Sequence, residues 1–257
     1  MTRTREAPAT EPRLGAGPVG VHVEHVDRTF RGGRGEVAAL RGMSLCAAPG
    51  GVVAVVGPSG CGKSTLLELI CGLQRPDAGA VAADPAVLMP QRDLLLPWLS
   101  ALDNAALALR VTGMGRAEAR RQALPWFPRF GLEGFERARP AQLSGGMRQR
   151  VAFVRTLLAG KPVLALDEPF AALDALTRQE MQGWLAHALA EEPRTVVLVT
   201  HDVEEAIVLG DRVVVMSPRP GRAVAELAVD LPHPRRRTDP DVIALREQAL
   251  AALGVAA

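Results

Sequence analysis

The chain has 257 residues, of which 48% are hydrophobic and 23% are charged, and its net charge is +2. This composition is ordinary for a globular protein, and the near-neutral charge gives no indication of a nucleic-acid partner. No apolar run reaches the roughly 18 residues of a membrane span, and the N-terminus lacks an apolar signal core, so we expect a cytoplasmic protein. The three cysteines lack the spacing of a metal site, which predicts reduced thiols.

The N-terminal part of the chain changes character near residue 19. Residues 1–18 are rich in Ala, Pro, Thr and Gly without periodicity, which predicts a disordered tail ahead of a single domain over 19–257. Alternating valines over 19–27 predict an edge strand. A glycine turn at 32–35 then leads to a second strand, or a pair of strands, over 37–46.

Residues 52–72 combine a strand pattern, a glycine loop and a helix pattern. Residues 52–56 are apolar and mostly β-branched, which predicts a strand buried on both faces, and the apolar stretch that ends at Gly72 predicts a helix. Between them, two glycines separated by four residues precede Lys63 and Ser64, the pattern of a phosphate-binding loop. Backbone N–H groups and the helix N-terminus bind phosphate oxygens there. We predict ATP binding by Gly57, Pro58, Ser59, Gly60, Cys61, Gly62, Lys63, Ser64 and Thr65.

The single lysine in this loop is unusual for the chain. Of its 30 basic residues only Lys63 and Lys161 are lysines. A compact ammonium fits inside a phosphate cradle where a wide guanidinium does not. We therefore expect Lys63 to reach the β and γ phosphates, with Ser64 as a ligand of Mg²⁺.

The middle of the chain reads as a small helical insertion over about 94–146. Residues 73–90 are predicted to be loop with at most short strands. Asp103 is predicted to cap a helix that runs to about Val111. A second helical stretch over 118–130 is interrupted by Pro125 and Pro128.

Alternating helix and strand patterns follow and predict a mostly parallel sheet. After these elements, a C-terminal extension over about 231–257 carries the run Arg235–Arg237 and a helix pattern from 241 to about 252. We interpret the arginine run as a solvated face rather than a contact with anionic lipid heads. The alternating elements are helices over 144–158, 175–190 and 203–209 and strands over 163–166, 195–200 and 212–216.

Two carboxylates follow a predicted buried strand at Asp167 and Glu168. Ligands bind at the C-terminal edges of strands in open α/β sheets. Asp167 is suited to hold Mg²⁺ through water, and Glu168 is suited to polarise an attacking water.

The stretch Leu143-Ser144-Gly145-Gly146-Met147-Arg148-Gln149-Arg150 resembles the signature motif of ATP-binding-cassette (ABC) ATPases. The resemblance covers about residues 19–230. It implies a P-loop α/β fold with a mostly parallel sheet, a small antiparallel β-subdomain and an inserted helical subdomain.

The same resemblance assigns further roles. Gln91 is similar to the glutamine that senses Mg²⁺ and the attacking water, and His201 is similar to the switch histidine at the γ-phosphate. Asp174, within 172–174, resembles the D-loop at the dimer interface. Phe30 resembles the aromatic that stacks on adenine, with a core role as the alternative. Whether Glu168 or His201 is the main catalyst stays open. The implied metal ligands are Ser64, Gln91 and Asp167; the implied trans ATP contacts are Ser144, Gly145, Gly146 and Gln149.

The family resemblance implies a mechanism that needs two copies of the chain. Each ATP lies between one copy's phosphate loop and the other copy's signature motif, and binding closes the dimer while hydrolysis reopens it. This cycle drives a membrane permease, so the implied location is the cytoplasmic face of the cell membrane. A solute-binding protein would be an indirect partner.

Three stretches narrow the resemblance to importer ATPases for nitrate, sulfonates and taurine: 95–98, 167–178 and 217–222. They favour import of a small oxyanion, although the segment from Gly79 to Gln91 is shorter than in that family. We predict that Trp98 contacts the permease, with core packing in the helical insertion as the alternative. Cys61 is expected to react with a maleimide unless MgATP protects it.

Other functions remain open at this point. One is a soluble cassette ATPase of DNA repair or translation, a class that tends to carry a coiled coil, a zinc-cysteine module or two cassettes. Others are a phosphate-loop kinase, an exporter ATPase, and the ATPase of an importer for another solute.

Overall fold

The computed structural model describes residues 20–32, 35–171, 173–191 and 193–254. The predicted tail, the tip of the glycine turn at 33–34 and Ala172 of the predicted D-loop lie outside these residues. No helix in the described part is both long and apolar enough to cross a bilayer.

A three-stranded antiparallel sheet is built from β1 (Val21–Gly32), β2 (Gly35–Ala47) and β4 (Ala78–Ala83) in the order β2-β1-β4. The prediction of an edge strand at 19–27 is wrong, because β4 pairs with the free side of β1. The buried positions Val21, Val23 and Val26 are not evenly spaced, since a bulge places His25 at φ 46.

The central sheet has six strands in the order β5-β6-β7-β3-β8-β9, and all neighbours are parallel except β8 and β9. Strands β3, β6 and β7 are buried along their whole length. Sequence reasoning missed β9, whose side chains alternate between exposed and half-buried positions. The strands are β3 (Val52–Val56), β5 (Ala86–Met89), β6 (Val163–Asp167), β7 (Thr195–Thr200), β8 (Arg212–Met216) and β9 (Ala223–Ala228).

Helices pack around this sheet, which confirms the predicted α/β class. They are α1 (Lys63–Ile70), α6 (Gly145–Leu157), α7 (Ala175–Glu191), α8 (Val203–Leu209) and α9 (Pro240–Ala252). The inserted segment holds the short helices α2 (Ala101–Ala105), α3 (Leu107–Val111), α4 (Arg116–Ala123) and α5 (Trp126–Arg129), with a 3₁₀ turn at Pro140–Gln142.

The first inserted helix does not start as predicted. Ser100, not Asp103, caps α2: its hydroxyl accepts from the Asp103 N–H at 3.1 Å and donates to the Asp103 carboxylate at 2.9 Å. Asp103 is instead buried in the first turn and pairs with Arg116. The predicted single helix is also broken at Ala106.

An aromatic cluster joins the inserted helices to the main body. Trp126 and Phe130 come from the insertion, Phe153 from α6 and Trp184 from α7. The rings of Phe130 and Trp184 lie 4.3 Å apart. Such pairs stabilise beyond the apolar area that they bury, so this cluster fixes the inserted helices against α6 and α7.

The interpretation of the arginine run as solvated is wrong for Arg235. Its guanidinium is buried and donates to the carbonyls of Leu231, Ile207 and Val229 at 2.8–3.0 Å, and also to the carbonyl of Gly210. Buried charges persist where hydrogen bonds satisfy them. Arg236 and Arg237 are exposed.

Candidate functional site

The phosphate loop connects β3 to α1 and is held by its own backbone. Gly62 has φ +111, and a Cβ there would lie 2.7 Å from the Ala39 carbonyl oxygen, so only glycine fits. The Lys63 ammonium, on a side chain only 6% exposed, donates to the carbonyls of Gly57 at 2.7 Å and Pro58 at 3.0 Å. These contacts hold a positive charge within the loop.

Asp167 stands at the C-terminal end of β6, two strands from the phosphate loop, and is buried. Burial raises the pKa of Asp167, while a hydrogen bond from the Ser64 hydroxyl acts in the opposite direction. The structure therefore brings together two predicted metal ligands. Their oxygen atoms are of the kind that Mg²⁺ prefers.

Glu168 has a φ of 47° and is one of three non-glycine residues with a positive φ in the described chain. Its N–H donates to the Val199 carbonyl at 2.8 Å, which anchors the strained backbone to β7. The carboxylate Oε2 accepts from Gln91 Nε2 at 3.0 Å and lies 3.3 Å from His201 Nδ1. All three predicted catalytic side chains thus meet at one oxygen.

Gln91, Asp167 and Glu168 line a pocket of about 390 Å³, whereas His201 lies outside its lining. Phe30 lines it, is 38% exposed, and has the Arg28 guanidinium 4.9 Å from its ring centroid, so the core alternative for Phe30 is excluded. Among the described residues the pocket is lined by Phe30, Val37, Ala39, Ser59, Gly60, Gly62, Lys63, Ser64, Thr65, Gln91, Asp167, Glu168 and Arg219.

Sequence reasoning missed three residues that line the pocket, Val37, Ala39 and Arg219, of which Arg219 is the only charged one. Its Nε donates to the Gly60 carbonyl at 3.1 Å, at the tip of the phosphate loop. The loop that carries Arg219 packs closely against the phosphate loop. The approach is so close that a Cβ at Gly221 would overlap the Cys61 carbonyl oxygen. Residues 217–222 were noted only as a family likeness, and nothing local to them indicates this contact.

The Cys61 side chain does not lie beside the nucleotide pocket as predicted. Its side chain is 1% exposed, is packed in the apolar cluster beneath the small sheet, and does not line the pocket. Burial also raises the pKa of the Cys61 thiol. Thiolates are the reactive form of cysteine, so burial and the raised pKa both disfavour the predicted maleimide reaction, which labelling with and without MgATP would test. Gly57 and Pro58 likewise contribute carbonyls to Lys63 and not pocket surface.

The signature motif lies away from this pocket. Ser144 caps α6 by accepting from the Met147 N–H at 3.2 Å, and it is exposed together with Gly145, while Gly146 is half-buried. Gln149 is only 3% exposed, which removes its side chain from the surface that a trans ATP contact requires. Asp174 is exposed and caps α7 by accepting from the Thr177 N–H at 3.0 Å.

The segment after Gln91 is tied to the signature helix. Asp93 accepts from Arg148 Nε at 3.0 Å, and the Asp93 and Leu94 carbonyls accept from Arg155. Beyond these bonds the segment reaches the surface, where Leu94 is exposed and Trp98 is 66% exposed. The core alternative for Trp98 is therefore excluded.

Known proteins match the chain over most of its length. The sequence profile described as "ABC transporter" matches residues 40–171. The Taurine import ATP-binding protein TauB of Chromobacterium violaceum is 46% identical over 233 residues, which cover 83% of this chain and 88% of that protein. The Formylaminopyrimidine import ATP-binding protein ThiZ of Halalkalibacterium halodurans is 46% identical over 191 residues, covering 73% and 76%.

A solved structure shares the fold. A dimer of the ATP-binding cassette MJ0796 in a post-hydrolysis state, bound to ADP and Pi, superposes with a TM-score of 0.76 at 32% sequence identity. The match covers 82% of this chain and 99% of that one.

Proposed function

The chain belongs to the ABC transporter family and is an ATPase of that family, and on this premise we propose that it energises a membrane importer for small oxyanions such as sulfonates, taurine or nitrate. The observation that carries this proposal is the 46% identity to a taurine import ATP-binding protein over 83% of this chain and 88% of that protein.

The hydrolysis of ATP to ADP and phosphate would proceed at the Glu168 carboxylate. Gln91 and His201 fix its Oε2, and Glu168 accepts the proton of the attacking water. Ser64, Asp167 and Gln91 would hold Mg²⁺, which neutralises phosphate charge when bound. Phe30 would stack on adenine, and Lys63 would turn from its loop carbonyls to the phosphates.

The active form in this proposal is a homodimer. Ser144 and Gly145 are exposed at the start of α6 and are absent from the lining of their own pocket. Bare N–H groups at a helix start favour an anion, and a nucleotide held by a second copy would supply it. Asp174, exposed at the start of α7, would face the partner.

The permease would dock beside Trp98 and Leu94. Both are exposed apolar side chains on the segment that joins Gln91 to the signature helix. Large aromatic anchors dominate many protein interfaces. Such docking would place the protein at the cytoplasmic face of the membrane, with a solute-binding protein as an indirect partner.

Growth of a deletion strain tests the solute. Taurine, alkanesulfonates and nitrate are each supplied as the sole sulfur or nitrogen source, and uptake of formylaminopyrimidine tests the other solute named among the relatives. Wild-type protein should restore growth on one oxyanion, and Lys63→Ala should not. Normal growth of the deletion strain on every oxyanion would contradict the proposed substrate class.

Co-purification tests the importer role itself against a soluble cassette ATPase. Tagged wild-type protein should retain permease subunits, and Trp98→Ala should lose them while keeping its ATPase activity and melting temperature. If the wild-type chain retains no membrane protein, the soluble alternative is favoured.

A further inference from the structure

A second cavity, of about 570 Å³, lies between α7, the end of α8 and residues 233–238. It shares no lining residue with the nucleotide pocket. The two helices supply its apolar wall together with Gln179 and Gln182, and the C-terminal segment supplies the arginines. The described lining residues are Ala175, Gln179, Gln182, Gly183, Ala186, Val208, Leu209, His233, Pro234, Arg235, Arg236, Arg237 and Thr238.

The charge of this cavity is one-sided. Three arginines line it, and none of the lining residues in the described part of the chain is Asp or Glu. Arg235 adds a charge but few free donors, since four carbonyls and the nearby Asp211 surround its guanidinium. Burial lowers the pKa of His233, so this histidine adds no charge at neutral pH. Asp211 and Glu204 lie beside Arg235 and Arg237 and offset part of their charge, so Arg236 supplies the uncompensated positive charge of the cavity.

Donors for a ligand come from the outer arginines. Arg237 makes two long contacts, to Glu204 and to Gln182, both at 3.3 Å. The Arg236 side chain has no hydrogen bond or ion pair to a described residue. The side chains of Gln179 and Thr238 are likewise without a hydrogen bond to a described residue and face the same space.

Hydrogen bonds fix the polar side chains in the wall of this cavity. Gln182 is nearly fully buried and is fixed at both ends of its amide: Nε2 donates to Glu205 at 3.0 Å, and Oε1 accepts from Arg237. Arg235 locks the C-terminal segment to the end of α8. Gln182 thus positions Arg237, and Arg235 fixes the C-terminal segment that also carries Arg236.

We propose that this cavity is a binding site for a small oxyanion of the phosphate, sulfate or sulfonate type. Planar guanidinium groups match the paired oxygens of such anions. The apolar wall of Ala186, Val208 and Leu209 accommodates a short organic group on a sulfonate. The site is distinct from the nucleotide pocket, so it stands whether or not the importer role holds.

The test measures anion binding to the full chain with the nucleotide pocket saturated by the Mg²⁺ complex of a non-hydrolysable ATP analogue, so that the phosphate loop and the γ-phosphate position are both occupied. Inorganic phosphate, sulfate and methanesulfonate are titrated by calorimetry at constant ionic strength, with chloride as the balancing anion. Wild-type protein should bind at least one of them saturably in the millimolar range. The Arg236→Ala/Arg237→Ala variant should bind about tenfold more weakly or not at all.

Arg246→Ala is the matched control, because Arg246 contacts the same Glu204 as Arg237 but does not line the cavity. It should bind anions like the wild-type protein, and urea unfolding should show that all variants remain folded. Stronger binding of phosphate would indicate the hydrolysis product as the source, and stronger binding of methanesulfonate an imported solute. Absence of saturable binding, or equal binding by the double variant, would overturn the proposal.

Discussion

Two buried cationic side chains of this molecule donate to main-chain carbonyls, but the carbonyls lie close to one of them in the chain and far from the other. Lys63 and Arg235 are 6% and 8% exposed, and each donates to main-chain carbonyls. The acceptors of Lys63 are Gly57 and Pro58, which lie six and five residues before it in the chain. The acceptors of Arg235 extend from Ile207 to Leu231 and belong to separate elements.

This difference explains why one cation was predicted and the other was not. A loop whose donors and acceptors are contiguous is visible as a pattern in the sequence, whereas a buried guanidinium among distant carbonyls is not. The same difference predicts separate roles for the two regions that carry these cations. The phosphate-loop region should govern chemistry, and the C-terminal region should govern stability.

The strongest test of the chemical role is Glu168→Gln, which keeps the shape of the side chain and loses its proton affinity. A positioned carboxylate contributes about 10²- to 10⁴-fold to such a step, so we expect turnover to fall by that factor while MgATP binds and the variant accumulates as an ATP-bound dimer. Lys63→Ala should instead fail to bind ATP and remain monomeric. Phosphate release and size-exclusion chromatography with ATP measure both.

Near-normal turnover of Glu168→Gln would contradict its role as the base and favour His201. Inactivity without ATP-dependent dimerisation would contradict the assignment as well. Glu168→Gln should unfold in urea at the wild-type midpoint, since its side chain lies outside the apolar core. Lys63→Ala leaves the carbonyls of Gly57 and Pro58 without their donor, so it should unfold at a lower urea concentration.

The stability role is tested by Arg235→Ala. Its removal leaves four carbonyls without their donor, and unsatisfied buried groups cost about 1–3 kcal/mol each before water re-enters. We expect the free energy of unfolding to fall by about 4 kcal/mol, with KM for ATP unchanged. Arg236→Ala should change stability by less than about 0.5 kcal/mol. Equal effects of the two substitutions would refute the distinction.

Glu205 links the two regions, because it accepts from Gln182 of the second cavity and follows His201 closely in the chain. Burial raises the pKa of Glu205 from 4.5 to about 7. The folded chain then binds the extra proton, so its free energy of unfolding should decrease as pH rises from about 4.5 to 7 and level off above. The full change is about 3 kcal/mol.

Urea titrations between pH 5 and 8 measure this dependence. Glu205→Gln should flatten it, because the amide has no proton to lose, while Glu204→Gln on the exposed neighbour should leave it in place. An unchanged slope in Glu205→Gln would assign the pH dependence to other groups.

The smallest effect is expected at Arg219, whose guanidinium lies against the phosphate loop without being part of its pattern. A charge-assisted contact of this kind is worth about 1 kcal/mol at a half-open site, so Arg219→Ala should raise the Kd for MgATP about fivefold. Arg222→Ala removes an exposed arginine from the same loop but outside the pocket. If the two variants bind MgATP alike, Arg219 serves only to hold the loop.

The sequence by itself determined the strand–loop–helix at 52–72, the carboxylates after β6 and the α/β class. Each of these depends on groups that are neighbours in the chain or on a short hydrophobic period. It also placed Glu168 and His201 after buried strands, whereas only the family resemblance points to Gln91. The meeting of the three side chains at one oxygen follows from the order of parallel strands.

Only the tertiary structure decided the remaining features, because each depends on partners far apart in the chain. β1 is a central strand because β4 pairs with it, and Cys61 is buried because it packs in one cluster with Met216 and Leu66. Arg219 entered the pocket through a loop 159 residues away from Gly60. Arg235 is buried because its guanidinium finds carbonyls at the end of α8 and in the segment that precedes Arg235. No local sequence pattern predicts these contacts.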